Sequence, residues 1–548
     1  MMRSILERGC VEGETVYFGA TFLTMDRVPR AEAMLVRGDR IAAIGPVEDV
    51  DIAAAPGARR VDLAGQTVIP GFNDSHAHVL WLGLSLSQVD LSADAVSGIE
   101  DIKLAVAQRA TDAAESEWIV GRGYDQNGLL EKRHPTRLDL DDISYGRPVV
   151  LRHTSGHVLT CNARALELAG VTADTNDPPG GQIERDESGS PTGLLKESAM
   201  DLVMPLVPGP SVEAGARAIL AATQSLAGYG ITSVSDAATG DGESIGPALQ
   251  MFEKAAASED RRTRLQLMPR VQYVAPPHTE EVLPPDAFHL QSNPNWLCIG
   301  PTKIFSDGAL STRTAALREP YAGDVDNRGI LLWPQSILDS MVGRAHEAGW
   351  QIATHALGDR AVAAALNAYG KALSDRPRAD HRHRIEHCML LDEAQAREMG
   401  RLGIVASVQP DIFRLGDGYV AALGRERAGE SIPLDLFRRA GVAMAFSSDC
   451  PVIPCNPLPI IRSAVERRTP TGVQLGSLHA SNVLEAIRCY TSGGAFATRN
   501  DDEKGKLKPG YLADFAVLSA VPTSIPLEGF DSLRVTMTVA GGRPTFIG

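Results

Sequence analysis

The chain has 548 residues, 44% of them hydrophobic and 22% charged, with a net charge of −15 at pH 7. That length and balance describe a globular protein with a large core and more than one domain. The acidic excess argues against a nucleic-acid partner, because phosphate binding needs a basic face. No apolar run approaches the length of a membrane span, and the N-terminal segment lacks a signal-peptide core. The seven cysteines are scattered without a C-x-x-C pair, so the expected setting is a reducing cytoplasm.

From residue 15 to 68 the pattern is short and extended. Residues 16–18, 33–36 and 41–44 are strand candidates, and Gly38-Asp39 marks a hairpin turn between the last two. The C-terminus reads alike, with 512–518, 535–539 and 544–547 extended around Gly541-Gly542. Neither piece alone supplies enough partners for its edges. The two ends are therefore expected to pair into one small β-sandwich domain, residues 1–68 with 505–548.

Between them eight strand-like runs alternate with helical ones: 68–78, 230–236, 265–274, 299–306, 351–355, 383–387, 404–408 and 442–446. Val362, Leu366, Tyr369 and Leu373 recur at helical spacing between the fifth and sixth. Repeated β-then-α units predict a parallel sheet, and eight of them a closed barrel with catalytic groups at the C-terminal strand ends. The expected fold is thus α/β, a distorted (β/α)8 TIM barrel over residues 69–504. About 150 residues separate the first two strands, more than a connection needs. They predict an inserted cap subdomain at 85–225 over the barrel mouth. Its expected strands are 117–121 and 148–151, and its expected helix, 162–170, is closed by Gly170.

The first strand ends in Asn73-Asp74-Ser75-His76-Ala77-His78. Strand alternation puts His76 and His78 on one face, where two neutral imidazoles can grip a divalent cation. A bare His-x-His also recurs on surface loops, so the later strand ends matter. His355 ends the fifth strand, His387 the sixth and Asp449 the eighth. Four of the 13 histidines thus fall on one predicted rim. Lys303, in the fourth strand, has two readings. One is an ammonium paired with Asp307 on the same face. The other is a carbamate formed with CO2, whose two anionic oxygens can bridge metals. Alternation assigns Glu386 to the face opposite His387, as a structural residue. Cys450 points away from Asp449 by the same rule.

The order His-x-His, Lys, His, His, Asp on strands one, four, five, six and eight resembles the amidohydrolase superfamily. Residues 70–78, Ser155-Gly156-His157-Val158, 191–197, 303–308, 355–359 and Asp514 resemble its branch that includes N-substituted formamide deformylase. The resemblance implies a metal-dependent hydrolase of a non-peptide C–N bond, of amide or N-formyl type, in a small molecule. It implies one or two divalent ions, with zinc the expected metal, held by His76, His78, Lys303, His355, His387 and Asp449, and it favours a carboxylated Lys303. Asp449 is then the catalytic acid–base, taking a proton from the attacking water and returning it to the leaving nitrogen. His157, Asp307 and Arg313 are expected at the substrate, and Asp359 and Arg360 behind His355. No nucleic-acid or membrane partner is expected, and a homodimer is the first oligomeric expectation. Hydrolysis of a cyclic amide or ester, or a catalytically silent binding protein on the same fold, are the alternatives.

Overall fold

The computed structural model describes residues 13–548 apart from 93–94, 115–116, 127, 154–157, 179–180, 241–243 and 311–312. It has two compact units, Met1–Trp81 with Ile219–Gly548, and Leu82–Ala218.

The first unit contains an α/β barrel. Its strands are β1 (Phe72–Ala77), β2 (Ile231–Thr239), β3 (Arg264–Pro269), β4 (Thr302–Phe305), β5 (Ile352–Ala356), β6 (Arg384–His387), β7 (Val405–Val408) and β8 (Met444–Phe446). β1, β2 and β3 pair in parallel, and β4 to β8 form a second parallel run. Two seams make the barrel distorted. At the first, β3 pairs with a short strand, Leu297–Ile299, and β4 meets the β3 side through an isolated bridge, Arg270 to Lys303, and a bond from the Thr302 hydroxyl to Pro269 O at 3.0 Å rather than through a ladder. Pro301 interrupts the predicted 299–306 strand because it has no N–H for the ladder. At the second, Asp449 N donates to His76 O and His78 N to Cys450 O, each at 2.7 Å. These two bonds close β8 onto β1 at the rim.

Helices fill the crossovers. In Asp359–Asp375 the predicted stripe is buried at Val362, Leu366 and Tyr369 and half-buried at Leu373. Charged side chains occupy part of the barrel interior: Lys303 and Arg384 are among the largest fully buried groups.

The predicted first strand, 68–78, is two strands. Thr67–Pro70 pairs antiparallel with Phe515–Leu518, while β1 pairs with β2. The switch falls at Gly71, where a Cβ would lie 2.1 Å from the Thr232 hydroxyl. Only glycine lets the chain cross that close to β2. The N- and C-terminal strands form one eight-stranded sheet, in which Thr67–Pro70 joins the two ends. One face buries Tyr17, Phe22, Met34, Phe515 and Val539. Arg264 in β3 holds Asp514 of this sheet through two bonds of 2.7 and 2.9 Å.

The second unit is a six-stranded sheet in the order Gly181–Arg185, Pro191–Glu197, Val158–Cys161, Val149–His153, Ile119–Tyr124 and Val89–Asp90. Asn162 caps its helix Ala163–Leu168 by accepting from Ala165 N at 3.0 Å, and Gly170 follows in a left-handed turn. No described helix is long and apolar enough to cross a membrane.

Candidate metal centre

The strand ends of the barrel bring the expected groups together. His76 and His78 point from β1 to the same carboxylate: Asp449 Oδ1 is 3.3 Å from His76 Nε2 and 3.2 Å from His78 Nε2. Among the described residues this triad is the one set of His, Cys, Asp or Glu groups tight enough to hold a metal ion. Lys303 Nζ is 3.3 Å from His76 Nε2. The His387 ring lies 5.0 Å from that of His76 and 4.5 Å from that of His355. Lys303, His355 and His387 therefore adjoin the triad without being part of it.

The outward ring nitrogens show which inward ones carry lone pairs. His78 Nδ1 donates to Ala237 O at 2.9 Å, and His355 Nε2 to Gly308 O at 3.1 Å. His387 Nδ1 donates to Gln409 Oε1 at 2.8 Å, and Gln409 in turn donates to Ser447. His76 Nδ1 meets Glu386 Oε2 in a short contact. A neutral imidazole carries one N–H. His76, His78 and His387 thus present Nε2, and His355 presents Nδ1, as acceptors. Lone pairs of His76 and His78 converge on an anionic oxygen, an arrangement that a cation relieves and that suits the hard and borderline donors of a divalent metal.

Burial and neighbouring charge tune these groups. Burial pushes His387 down to about 3 and keeps His355 well below its ordinary value, so both are neutral. Burial pushes Lys303 down to about 8, against the opposing pull of Glu386 and Asp449.

Two of the groups sit on strained backbone. His387 and Asp449 have φ of 68° and 59°, in the left-handed region that L-residues rarely adopt. The turn at His387 carries its ring to the rim despite its alternation with Glu386.

Asp307 is not the partner of Lys303. Its carboxylate is buried and accepts the N–H groups of Ala316, Leu357 and Gly358 at 2.9, 3.1 and 2.9 Å, with burial raising it to about 7. Arg313 donates to Ala322 O at 3.3 Å and Ala421 O at 3.2 Å. His157 lies outside the described residues. Asp359 accepts from Arg318 N, and Arg360 donates to Gly329 O. Cys450 is buried and does not join the triad.

Glu386 and Gln409, each bonded to a site histidine, were not assigned that contact by sequence reasoning. For Glu386 a signal existed: Arg384 and Glu386 place opposite charges two apart in a strand expected to be buried.

The profile of the amidohydrolase family matches residues 59–546. YtcJ of Bacillus subtilis (strain 168) is 31% identical over 537 residues, covering 97% of this chain and 99% of its own. N-substituted formamide deformylase of Arthrobacter pascens is 29% identical over 526 residues, covering 93% and 94%. The crystal structure of an uncharacterized metal-dependent hydrolase from Pyrococcus furiosus superposes with a TM-score of 0.75 at 26% identity, covering 93% of this chain and 100% of that one.

Proposed function

The chain belongs to the amidohydrolase family, and from that premise we propose that it hydrolyses a non-peptide C–N bond, of amide or N-formyl type, in a small molecule. The observation that carries this reading is the convergence of two imidazole lone pairs on Asp449. The similarity to a protein named for N-substituted formamides supports the bond type. His76, His78 and Asp449 are the proposed inner ligands, with Lys303, His355 and His387 completing a site for one or two ions, zinc first. A bound divalent ion lowers the pKa of a coordinated water and polarises a carbonyl.

The side chains do the rest. Asp449, as its carboxylate, accepts a proton from the attacking water and returns it to the leaving nitrogen. An amine departs poorly unless protonated, so a single carboxylate serving both steps suits this bond. Lys303, with its ammonium destabilised by burial, has a neutral fraction whose nitrogen can attack CO2. The N–C bond forms, the nitrogen loses one proton, and a carbamate anion replaces the neutral amine beside the centre. Asp307, Arg313 and His157 are the residues we propose for substrate contact.

A screen of N-formyl and N-acyl amides with zinc-loaded protein tests the proposal, using Asp449→Asn as control. Turnover of an N-formyl or N-acyl amide that Asp449→Asn abolishes supports it. Turnover confined to esters or cyclic amides contradicts it.

A further inference from the structure

We propose that Glu386, clamped by Arg384, is a positioning residue that fixes the tautomer of His76 and so turns its Nε2 lone pair toward the metal centre. The inference rests on reading His76 as a ligand. Arg384 and Glu386 are both fully buried. A buried ion pair is weak evidence for stability, since desolvation offsets its attraction, so its position calls for another explanation.

The hydrogen bonds supply one. Arg384 Nε donates to Glu386 Oε1 at 2.7 Å and Nη2 to Oε2 at 2.8 Å. Nη2 also donates to Ser75 O at 2.8 Å, on the residue just before His76. One guanidinium thus holds both the carboxylate and the β1 backbone that carries the ligand. The carboxylate then meets His76 Nδ1. An ionised carboxylate only accepts, and the paired bonds from the Arg384 guanidinium are those of an ionised one. Nδ1 must therefore carry the proton, and Nε2 the lone pair. The contact between Lys303 Nζ and Nε2 fits, because an ammonium donates to a lone pair.

The other three rim histidines hydrogen-bond to neutral partners, two backbone carbonyls and the Gln409 amide, with Asp307 Oδ1 at a longer 3.6 Å from His355 Nε2. Of the four, His76 is the one whose outward nitrogen hydrogen-bonds to a carboxylate clamped by a guanidinium, and hence has the firmest lock. Alternation places Arg384 and Glu386 on one face of β6, and the left-handed turn lets His387 reach the same centre.

Glu386→Gln exposes the mechanism because an amide has one acceptor oxygen where the carboxylate has two. If that oxygen faces Arg384 Nε, the NH2 group faces His76 and forces the proton onto Nε2. If it faces His76, the NH2 group opposes Arg384 Nε. Either arrangement degrades the site without removing a ligand.

Two measurements on the full chain test this. Zinc affinity by chelator competition should fall about 10–100-fold in Glu386→Gln, with a cooperative unfolding transition retained. In the 15N spectrum of metal-free wild type, the His76 ring, identified by its loss in His76→Asn, should be the Nδ1–H tautomer. Wild-type zinc affinity in a folded Glu386→Gln, or an Nε2–H tautomer for His76 in the wild type, overturns the inference. If the variant does not fold, the wild-type tautomer decides alone. A wild-type chain that binds no zinc overturns the metal reading itself and this inference with it, an outcome distinct from a defect confined to the variant.

Discussion

Histidines cluster at both ends of β6. At its C-terminal end His387 stands with His76, His78 and His355 around Asp449. Just before its N-terminal end His383 packs with His346 and His381. In the lower cluster every ring nitrogen is satisfied within the protein. His383 Nε2 donates to His346 Nδ1 at 2.9 Å, and His346 Nε2 to Arg376 O at 2.7 Å. Ile352 N donates to His383 Nδ1, His383 N to His381 Nδ1, and His381 Nε2 to Leu402 O at 2.7 Å. At the rim, by contrast, the partners lie outside and the lone pairs face inward onto an anion. Crowding of imidazoles therefore says little by itself. The direction of the unshared pairs separates a packed cluster from a candidate metal centre, and among the described residues it is the upper one that meets the distance requirement for an ion.

That contrast predicts opposite consequences for substitutions at the two ends. The largest effect belongs to Asp449→Asn, which should lower kcat by about 10²–10⁴-fold, the range of a lost general acid–base. Far-UV circular dichroism should be unchanged, and kinetics with the best amide substrate are the readout. Turnover near wild type with metal still bound would remove Asp449 from the proton transfers.

At the lower cluster, His346→Ala strands the His383 N–H and the Arg376 carbonyl. It should cost about 2–4 kcal/mol of stability, from two buried groups left unpaired, while zinc stoichiometry stays at the wild-type value. Urea unfolding and elemental analysis check the pair of outcomes. A loss of zinc with stability intact would reverse the roles given to the two clusters.

The smallest effect is a pH dependence. Unfolded, His387 titrates near its ordinary value of about 6.5, but in the fold it does so near 3. Between those values the unfolded chain binds more protons, so stability of the metal-free protein falls as pH falls through that window. The depressed carboxyl of Glu386, held by Arg384 against the cost of burial, adds the same sign at its acid end. Burial lowers His346, His381 and His383 as well, so the base contributes in the same direction. Zinc should steepen the slope through the rim alone, because ligands must shed protons to bind. Urea midpoints at pH 7 and pH 5, with and without zinc, measure it, and a zinc-independent slope would contradict it.

The rim was legible because a period of two places His76 and His78 together and because strand ends select His355, His387 and Asp449 from other candidates. The pairing of the chain ends was legible from short extended runs that lacked partners. Less was visible where backbone departs from regular geometry. The switch at Gly71 divides one apparent strand between two sheets, and Pro301 divides another. The left-handed turn at His387 defeats the alternation that put Glu386 on the far side. Gln409 and Asp307 act through contacts between segments distant in sequence, which no local pattern encodes. His383 and His387, four residues apart in one motif, look equivalent in sequence, and only their positions along β6 part them.

Crystals grown with zinc, measured at wavelengths on either side of its absorption edge, would test the metal centre most directly. An anomalous peak should lie about 2.0–2.2 Å from His76 Nε2, His78 Nε2 and an Asp449 oxygen. A peak at His346 and His383 instead, or none at the rim in zinc-saturated crystals, would contradict the metal centre and the hydrolysis built on it.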